Sequence, residues 1–505
     1  MWWKVLLLTP FLIAIGSTTE CVPRSFGDDK IVCVCNATYC DRIEEPKIQS
    51  NGSFFSYVSS KAGLRMKPKE GQFGSCQQTL FTDTLTIDTT KKYQTIFGFG
   101  GAFTDSAGIN IKKLSKAAQD KLIRTYYHPT EGSRYLLGRL GIGGTDFSTH
   151  AYTYDDHSND TSLEHFALAP EDYNYKIPFM KKALELNPET KFFGATWSPP
   201  IWMKTNDKYS GYGFLKEEYY QLYANYILKF LDAYKENGLN IWAISTGNEP
   251  LNAIVPFDPL SVMGWTPKTV GNWVANNLGP TLAASKHDTK ILALDDQRIE
   301  LPWFVQQMFE NEKAKDYVSG VAVHWYSDFI ASPVLLDLTH DSFPDKFILM
   351  TEACEGVGSS EKVILGSWER GQKYILSILE YLNNWAVGWV DWNLALDKSG
   401  GPNYINNNVD SPIIVNPETD EFYKQPMYYA IAHFSRFIDR GSVRISITDT
   451  ATIKSAAFVT PSNEVVVVLH NGNPVSKNVI LKDLKKGTIC LELPANSMHT
   501  VIYGL

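Results

Sequence analysis

The chain has 505 residues, 44% hydrophobic and 20% charged, with 35 Gly and 25 Pro. That length exceeds a single small core, and that composition is globular rather than disordered. A net charge of −8 argues against nucleic acid as a partner, which asks for a basic face.

The N-terminus reads as a secretory signal peptide over residues 1–20. Lys4 supplies a positive charge, Val5 to Ile15 is apolar apart from Thr9 and Pro10, and small or polar residues follow from Gly16 to Thr19. The run is shorter than a spanning helix needs, and no later stretch reaches the ~18 consecutive apolar residues of one, so the mature chain is expected to be soluble or peripheral. Cys21, Cys33, Cys35 and Cys40 follow within CVPRSFGDDKIVCVCNATYC. Four cysteines this close, behind a signal peptide, read as two disulfides in an oxidising compartment. A zinc site is the alternative, and only the Cys35–Cys40 spacing approaches it. Cys76, Cys354 and Cys490 are odd in number and leave at least one free thiol; Cys354 reads as a buried one. Asn36, Asn51 and Asn159 head glycosylation sequons.

From residue 97 onward, short apolar runs that end in polar or Gly-rich residues alternate with helical stretches. The runs are FGFGGAFTD (97–105), YLLGRLGIGGTDFS (135–148), KFFGATWSPP (191–200), IWAISTGNEP (241–250), KILALDDQ (290–297), VSGVAVHWY (318–326), KFILMTEAC (346–354) and AVGWVDWNLAL (386–396). Between the third and fourth, Tyr219, Leu222, Tyr223, Tyr226, Ile227 and Phe230 recur at helical steps, and Asn237-Gly238 supplies a stop. Near-continuous apolar runs suit buried parallel strands, and eight strand–helix units predict a (β/α)₈ TIM barrel, an α/β fold. A doubly wound open sheet is the alternative, but the glycines of GFGGAF do not fall in the G-x-G-x-x-G phosphate-binding pattern.

The flanks carry short β-branched segments between turn residues: 79–87, 452–459, 464–470, 478–483 and 499–504. They predict an all-β sandwich built from both chain ends. The expected division is a small disulfide-bearing β module (21–43 plus 394–425), the sandwich (44–92 plus 439–505) and a catalytic barrel (93–393 plus 426–438).

Barrel enzymes hold their chemistry at the C-terminal strand ends. Here those ends carry Asp146, Trp197, Asn248, Glu249, His324, Tyr326, Glu352, Trp392 and Asn393. Glu249 and Glu352 close the fourth and seventh runs, where two carboxyls can face each other across the mouth as retaining glycosidases require. A rim salt bridge is the plainer reading of either one. Against it, a buried strand ends in Asn248-Glu249-Pro250.

With these residues in hand, the sequence resembles glycoside hydrolase family 30 of clan A, and within it the glucosylceramidases. The resemblance is carried by CVCNATYCD (33–41), GFGGAFTD (98–105), TDFSTHAYTYDD (145–156), NEP (248–250), LDDQR (294–298), AVHWYSDF (322–329), TEAC (351–354), GSWERG (366–371), VGWVDWNLAL (387–396), GGPNYINNNVDSPIIV (400–415) and FYKQPMYY (422–429). It runs from about Cys21 to the C-terminus. It implies Glu352 as nucleophile and Glu249 as general acid/base. Arg139 and Tyr326 would hold Glu352 as a carboxylate, Asn248 would bind the sugar 2-hydroxyl, and His324 would support the pair from behind. Asp146, Trp197, Trp392 and Asn407 would bind other hydroxyls or wall the pocket. It further implies glucosylceramide as substrate at a lysosomal membrane surface, a saposin-type activator protein, anionic phospholipid and peripheral membrane association. No metal or cofactor is expected, since there is no H-E-x-x-H and the ten His form no ligand cluster. Another clan A β-glycan hydrolase, or a sugar-binding relative without activity, remain the alternatives. Gly247 departs from the family, whose animal members usually have an acidic residue there, and 206–216 and 252–264 match it less well.

Overall fold

In the computed structural model, residues 20–46, 52–77, 82–255 and 259–505 are described. Residues 1–19 of the expected signal peptide and the Asn51 sequon lie outside them. The expected barrel is present. Its strands are β1 (Gly98–Ala102), β2 (Leu137–Gly141), β3 (Lys191–Ala195), β4 (Ile241–Ser245), β5 (Lys290–Gln297), β6 (Val318–His324), β7 (Phe347–Glu352) and β8 (Ala386–Asn393). They close in the order β5-β6-β7-β8-β1-β2-β3-β4, every pair parallel. Leu137, Phe193, Ala243, Leu292, Ala322, Leu349 and Val390, from seven different strands, form one buried cluster that fills the barrel. The helical pattern before the fourth run forms Tyr220–Glu236, closed by Asn237 with Gly238 at φ +79°.

The glycine cluster that did not fit a nucleotide site has a packing cause. A Cβ on Gly100 would lie 2.1 Å from the Leu137 carbonyl oxygen of the neighbouring strand, and one on Gly388 would lie 2.1 Å from the Gly98 oxygen. Strands β8, β1 and β2 meet at close backbone approach, which only glycine allows.

Both chain ends enter one nine-stranded sheet, in the order Gly487–Leu493, Lys477–Asp483, Thr82–Thr95, Val443–Ile447, Ile453–Val459, Glu464–Asn471, Ser497–Gly504, Ser53–Ser60, Lys67–Gln72. It folds over a core shared by distant strands, with Val479 and Ile489 clustered with Val467, Val501 and Phe54. Its two edges meet: the Gly74 N–H donates to the Thr488 oxygen at 2.9 Å, and a Cys76–Cys490 disulfide joins them. Four of these strands (53–60, 67–72, 443–447, 487–493) were not among the segments expected from sequence.

A five-stranded sheet, Pro23–Ser25, Ile31–Asn36, Glu421–Lys424, Ile413–Asn416 and Leu396–Asp397, brings the cysteine-rich start against the segment that follows β8. Cys21 bonds to Cys33 and Cys35 to Cys40, while Cys354 is free and buried. Buried Lys424 ties this sheet to Asp41 at 2.7 Å. Gln425 holds Asp410 at 2.6 Å and Arg370 contacts the same carboxylate, anchoring the 398–410 loop over the barrel mouth. Asn36 is half-buried at a strand end, and Asn159 is exposed at φ +61°. Among the described residues no helix is long and apolar enough to cross a membrane.

Substituting Gly100 by Ala forces β1 and β2 apart. We expect a loss of about 1–3 kcal/mol, read from denaturant unfolding.

Candidate active site

Four residues past β4 the chain makes an abrupt turn. Gly247 has φ +140° and Glu249 has φ +44°, a left-handed conformation that costs a non-glycine residue roughly 1–3 kcal/mol. Neighbouring strands fix it: the Asn248 N–H donates to the Thr196 oxygen and the Glu249 N–H to the Asp295 oxygen, each at 2.9 Å. Pro250 then starts a 3₁₀ turn, Pro250–Ile254. Glu352 is the last residue of β7, and Tyr326 follows β6 by two residues.

These ends surround a pocket of about 630 Å³. Asp146, Trp197, Asn248, Glu249, Glu352 and Asn407 line it, together with Tyr326 and Trp392. A carboxylate oxygen of Glu249, one of Glu352 and a His324 ring nitrogen all lie within 4.8 Å of one another. Trp197 and Trp392 stack 5.2 Å apart at 15°. Asn407 donates to Asp146 at 3.1 Å. The Tyr326 hydroxyl donates to Glu352 Oε1 at 2.8 Å and lies 3.2 Å from Cys354 Sγ. Arg139 and His324 sit beneath the floor, both fully buried. Arg139 contacts Glu352 Oε2, Asp295 at 3.0 Å and the Asn248 oxygen at 2.8 Å, and lies 5.1 Å from both Trp ring centres. His324 bridges Glu249 Oε1 (2.8 Å) and Asp295 Oδ1 (3.1 Å). All ten residues singled out for catalysis, binding or support are therefore in the pocket or directly under it.

Three polar groups of the site received no role from sequence. Asp295 lies inside LDDQR, but period-two alternation does not reveal its direction. A register shift in β5 with positive φ at Leu294 and Asp295 turns it inward, where Arg139, His324 and Thr351 meet it. Gln297 donates to Glu249 Oε1 at 2.7 Å and Asn252 to Oε2 at 2.6 Å. The signal that could have found Asp295 is a pair of acids ending a buried run.

The charges are shaped by burial and by each other. Burial alone would lower the His324 imidazole, but Glu352, Asp295 and Glu249 outweigh it and hold it protonated, with a pKa of about 10. Burial opposes ionisation of Asp295, yet Arg139 and His324 keep it well below the usual carboxylate range. Burial raises Glu352, with Glu249 adding and with His324 and Arg139 opposing. Burial, reinforced by Glu352, pushes Asp146 up to about 8; burial, reinforced by Glu249, does the same to Asp296. Among the described residues, two groups converge as metal ligands might: Glu249, His324 and Glu352, and Cys35, Cys40 and Asp41. A protonated His324 has both nitrogens engaged, and the two sulfurs are joined, so neither group offers a free donor set.

The glycosyl hydrolase family 30 TIM-barrel domain matches residues 96–438, and the family's beta sandwich domain matches residues 441–501. The chain belongs to glycosyl hydrolase family 30. Within the family, it is 40% identical over 492 residues to the lysosomal acid glucosylceramidase of Mus musculus, covering 96% of this chain and 95% of that one. It is 30% identical over 380 residues to an endo-1,6-beta-D-glucanase of Neurospora crassa, covering 73% and 76%. Among solved structures, SrfJ from Salmonella typhimurium aligns with a TM-score of 0.83 at 26% identity, covering 90% of this chain and all of that one. In this chain the family 30 barrel carries two close glutamates over one buried arginine.

These protonation states give stability a pH dependence. The folded site retains protons on Asp146 and Asp296 up to about pH 8, and on Asp328, raised by burial, up to about 7. The unfolded chain releases them near pH 4. That stability is fully present below the unfolded value and is lost as pH rises through the folded ones. His324 acts in the same direction between 6.5 and about 10. Buried His470 and His499, lowered by burial to about 4 and about 3, oppose it below pH 6.5. Thermal unfolding should show Tm falling from about pH 6.5, where the buried histidines cease to oppose the trend, to about pH 8.

Proposed function

We propose that this family 30 chain is a retaining β-glucosidase that hydrolyses glucosylceramide to glucose and ceramide by double displacement, in an acidic compartment of the secretory pathway. The observation that carries the reading is the carboxylate pair. Glu249 and Glu352 have oxygens within 4.8 Å of each other, which suits direct attack; inverting enzymes separate their carboxyls by roughly 6.5–9.5 Å to admit a water. Arg139 and Tyr326 both donate to Glu352 and support its ionised form. We assign the nucleophile to Glu352, which has the permanent Arg139 cation beside it, and the acid/base to Glu249, which does not.

In the first step an oxygen of Glu352 bonds to the anomeric carbon. The bond from that carbon to the ceramide oxygen breaks, and Glu249 gives that oxygen its proton. The glucosyl group is then an ester of Glu352, whose negative charge is gone. In the second step water attacks the same carbon, its proton passes to Glu249, and Glu352 leaves as a carboxylate. Asn248, held by Arg139, would meet the sugar 2-hydroxyl, while Asp146, Asn407 and the Trp197–Trp392 stack would bound the ring.

The aglycone side supports a lipid over a glycan chain. Phe329 and Ile330 line the pocket and are 85% and 64% exposed, and Val357 beside them is 52% exposed. An apolar rim of this kind suits ceramide chains and a bilayer surface; a polysaccharide cleft would present hydroxyl-binding groups. The same rim is where anionic phospholipid and a saposin-type activator would act. Residues 1–20 would direct the chain into the secretory route, with Asn36, Asn51 and Asn159 as glycosylation sites. The Mus musculus relative's printed name supports the lysosome as destination.

The test is hydrolysis of glucosylceramide in anionic-lipid micelles at about pH 5, with wild type, Glu249→Gln and Glu352→Gln. Wild-type turnover, with kcat lowered at least ~10²-fold in both variants, is the expected result. Activity on aryl β-glucosides alone would keep the pair and remove the lipid. Activity on β-1,6-glucan would move the chain to the glucanases.

A further inference from the structure

We infer that Asn252 is a positioning residue for the proposed acid/base: its side-chain amide holds the oxygen of Glu249 that delivers the proton. The inference rests on the reading of Glu249 above. Glu249 Oε1 is taken by two donors, His324 at 2.8 Å and Gln297 at 2.7 Å. Oε2 is left to carry the proton, and among the described residues its donor is Asn252 Nδ2 at 2.6 Å. One lone pair of Oε2 accepts this N–H while the other carries the proton toward the glycosidic oxygen.

The turn supplies the precision. The Asn252 N–H donates to the Glu249 carbonyl at 3.0 Å, and the Asn252 carbonyl accepts from Val255 at 3.0 Å. Asn252 thus sits three residues beyond a left-handed Glu249, with its side chain aimed at that carboxyl. It lines the pocket with Pro259 and Leu260.

A donor on Oε2 favours the ionised acid and so makes Glu249 release its proton more readily. The charged and titratable groups facing Glu249 from the other elements are His324 on β6, Glu352 on β7, Asp296 on β5, Asp146 beyond β2, and Tyr326. All of them remain in an Asn252 variant, so a change in the profile reports the lost amide.

The experiment compares wild type, Asn252→Ala, Asn252→Asp, Asn252→Ser and Glu249→Gln on aryl β-glucosides of graded leaving-group ability and on glucosylceramide, across pH. For Asn252→Ala we expect kcat to fall about tenfold on poor leaving groups and far less on dinitrophenyl glucoside, which needs no acid. The alkaline limb of kcat/KM should move up, further still in Asn252→Asp, where a second carboxylate faces the acid. Asn252→Ser, which keeps a donor, should recover part of both effects. Equal losses on every leaving group, with a lowered Tm, would mark a merely structural turn and overturn the inference, as would an unmoved alkaline limb. If Glu249→Gln itself shows no leaving-group dependence, the acid/base reading fails. If it does and Asn252→Ala does not, only the inference about Asn252 fails.

Discussion

Arg139 carries a full charge with no access to solvent, and the rest of the site is arranged around that fact. Leaving a buried guanidinium unpaired would cost several kcal/mol. From β2 it meets Asp295 on β5, Glu352 on β7 and Asn248 beyond β4, with His324 on β6 3.5 Å away and two tryptophan faces beside it. Strands far apart in sequence are tied at one point, and the cluster is stable only when its members are present together. These contacts hold Glu352 directly, and Glu249 through His324, at a fixed separation.

The same cluster explains why two glutamates of one chemical type can take different parts. Glu352 faces a permanent cation and a phenol. Glu249 faces a protonated imidazole whose other nitrogen is committed to Asp295, and two neutral amides. Around them Asp146 and Asp296 hold their protons to about pH 8, so the pocket carries far less charge than its carboxyl count suggests.

Much of this was legible in the sequence because barrel strands buried on both faces appear as apolar runs, and their last residues reach the mouth whatever the loops do. Glu249 and Glu352 were found that way, by position at a strand end. Asp295 was not assigned, since a bulge in β5 and not the alternation of the strand decides which way it points. Lys67–Gln72 reads KPKEGQ and forms a sheet edge with mostly solvated side chains, so it has no apolar pattern to find. Cys76 and Cys490 stand 414 residues apart, and nothing local signals their pairing. Asn252 is invisible for another reason: one amide in a turn carries no signal until the carboxyl it meets is placed.

The most direct test of the account is to trap its central intermediate. A 2-deoxy-2-fluoro-β-glucoside with an activated leaving group should form a stable glycosyl ester, located by mass spectrometry of peptides from the inactivated enzyme. The account predicts a single fluoroglucosyl adduct on the peptide containing Glu352, with β-glucose as the first anomer released from ordinary substrate. An adduct at Glu249 or Asp146, or release of α-glucose with no adduct, would contradict it.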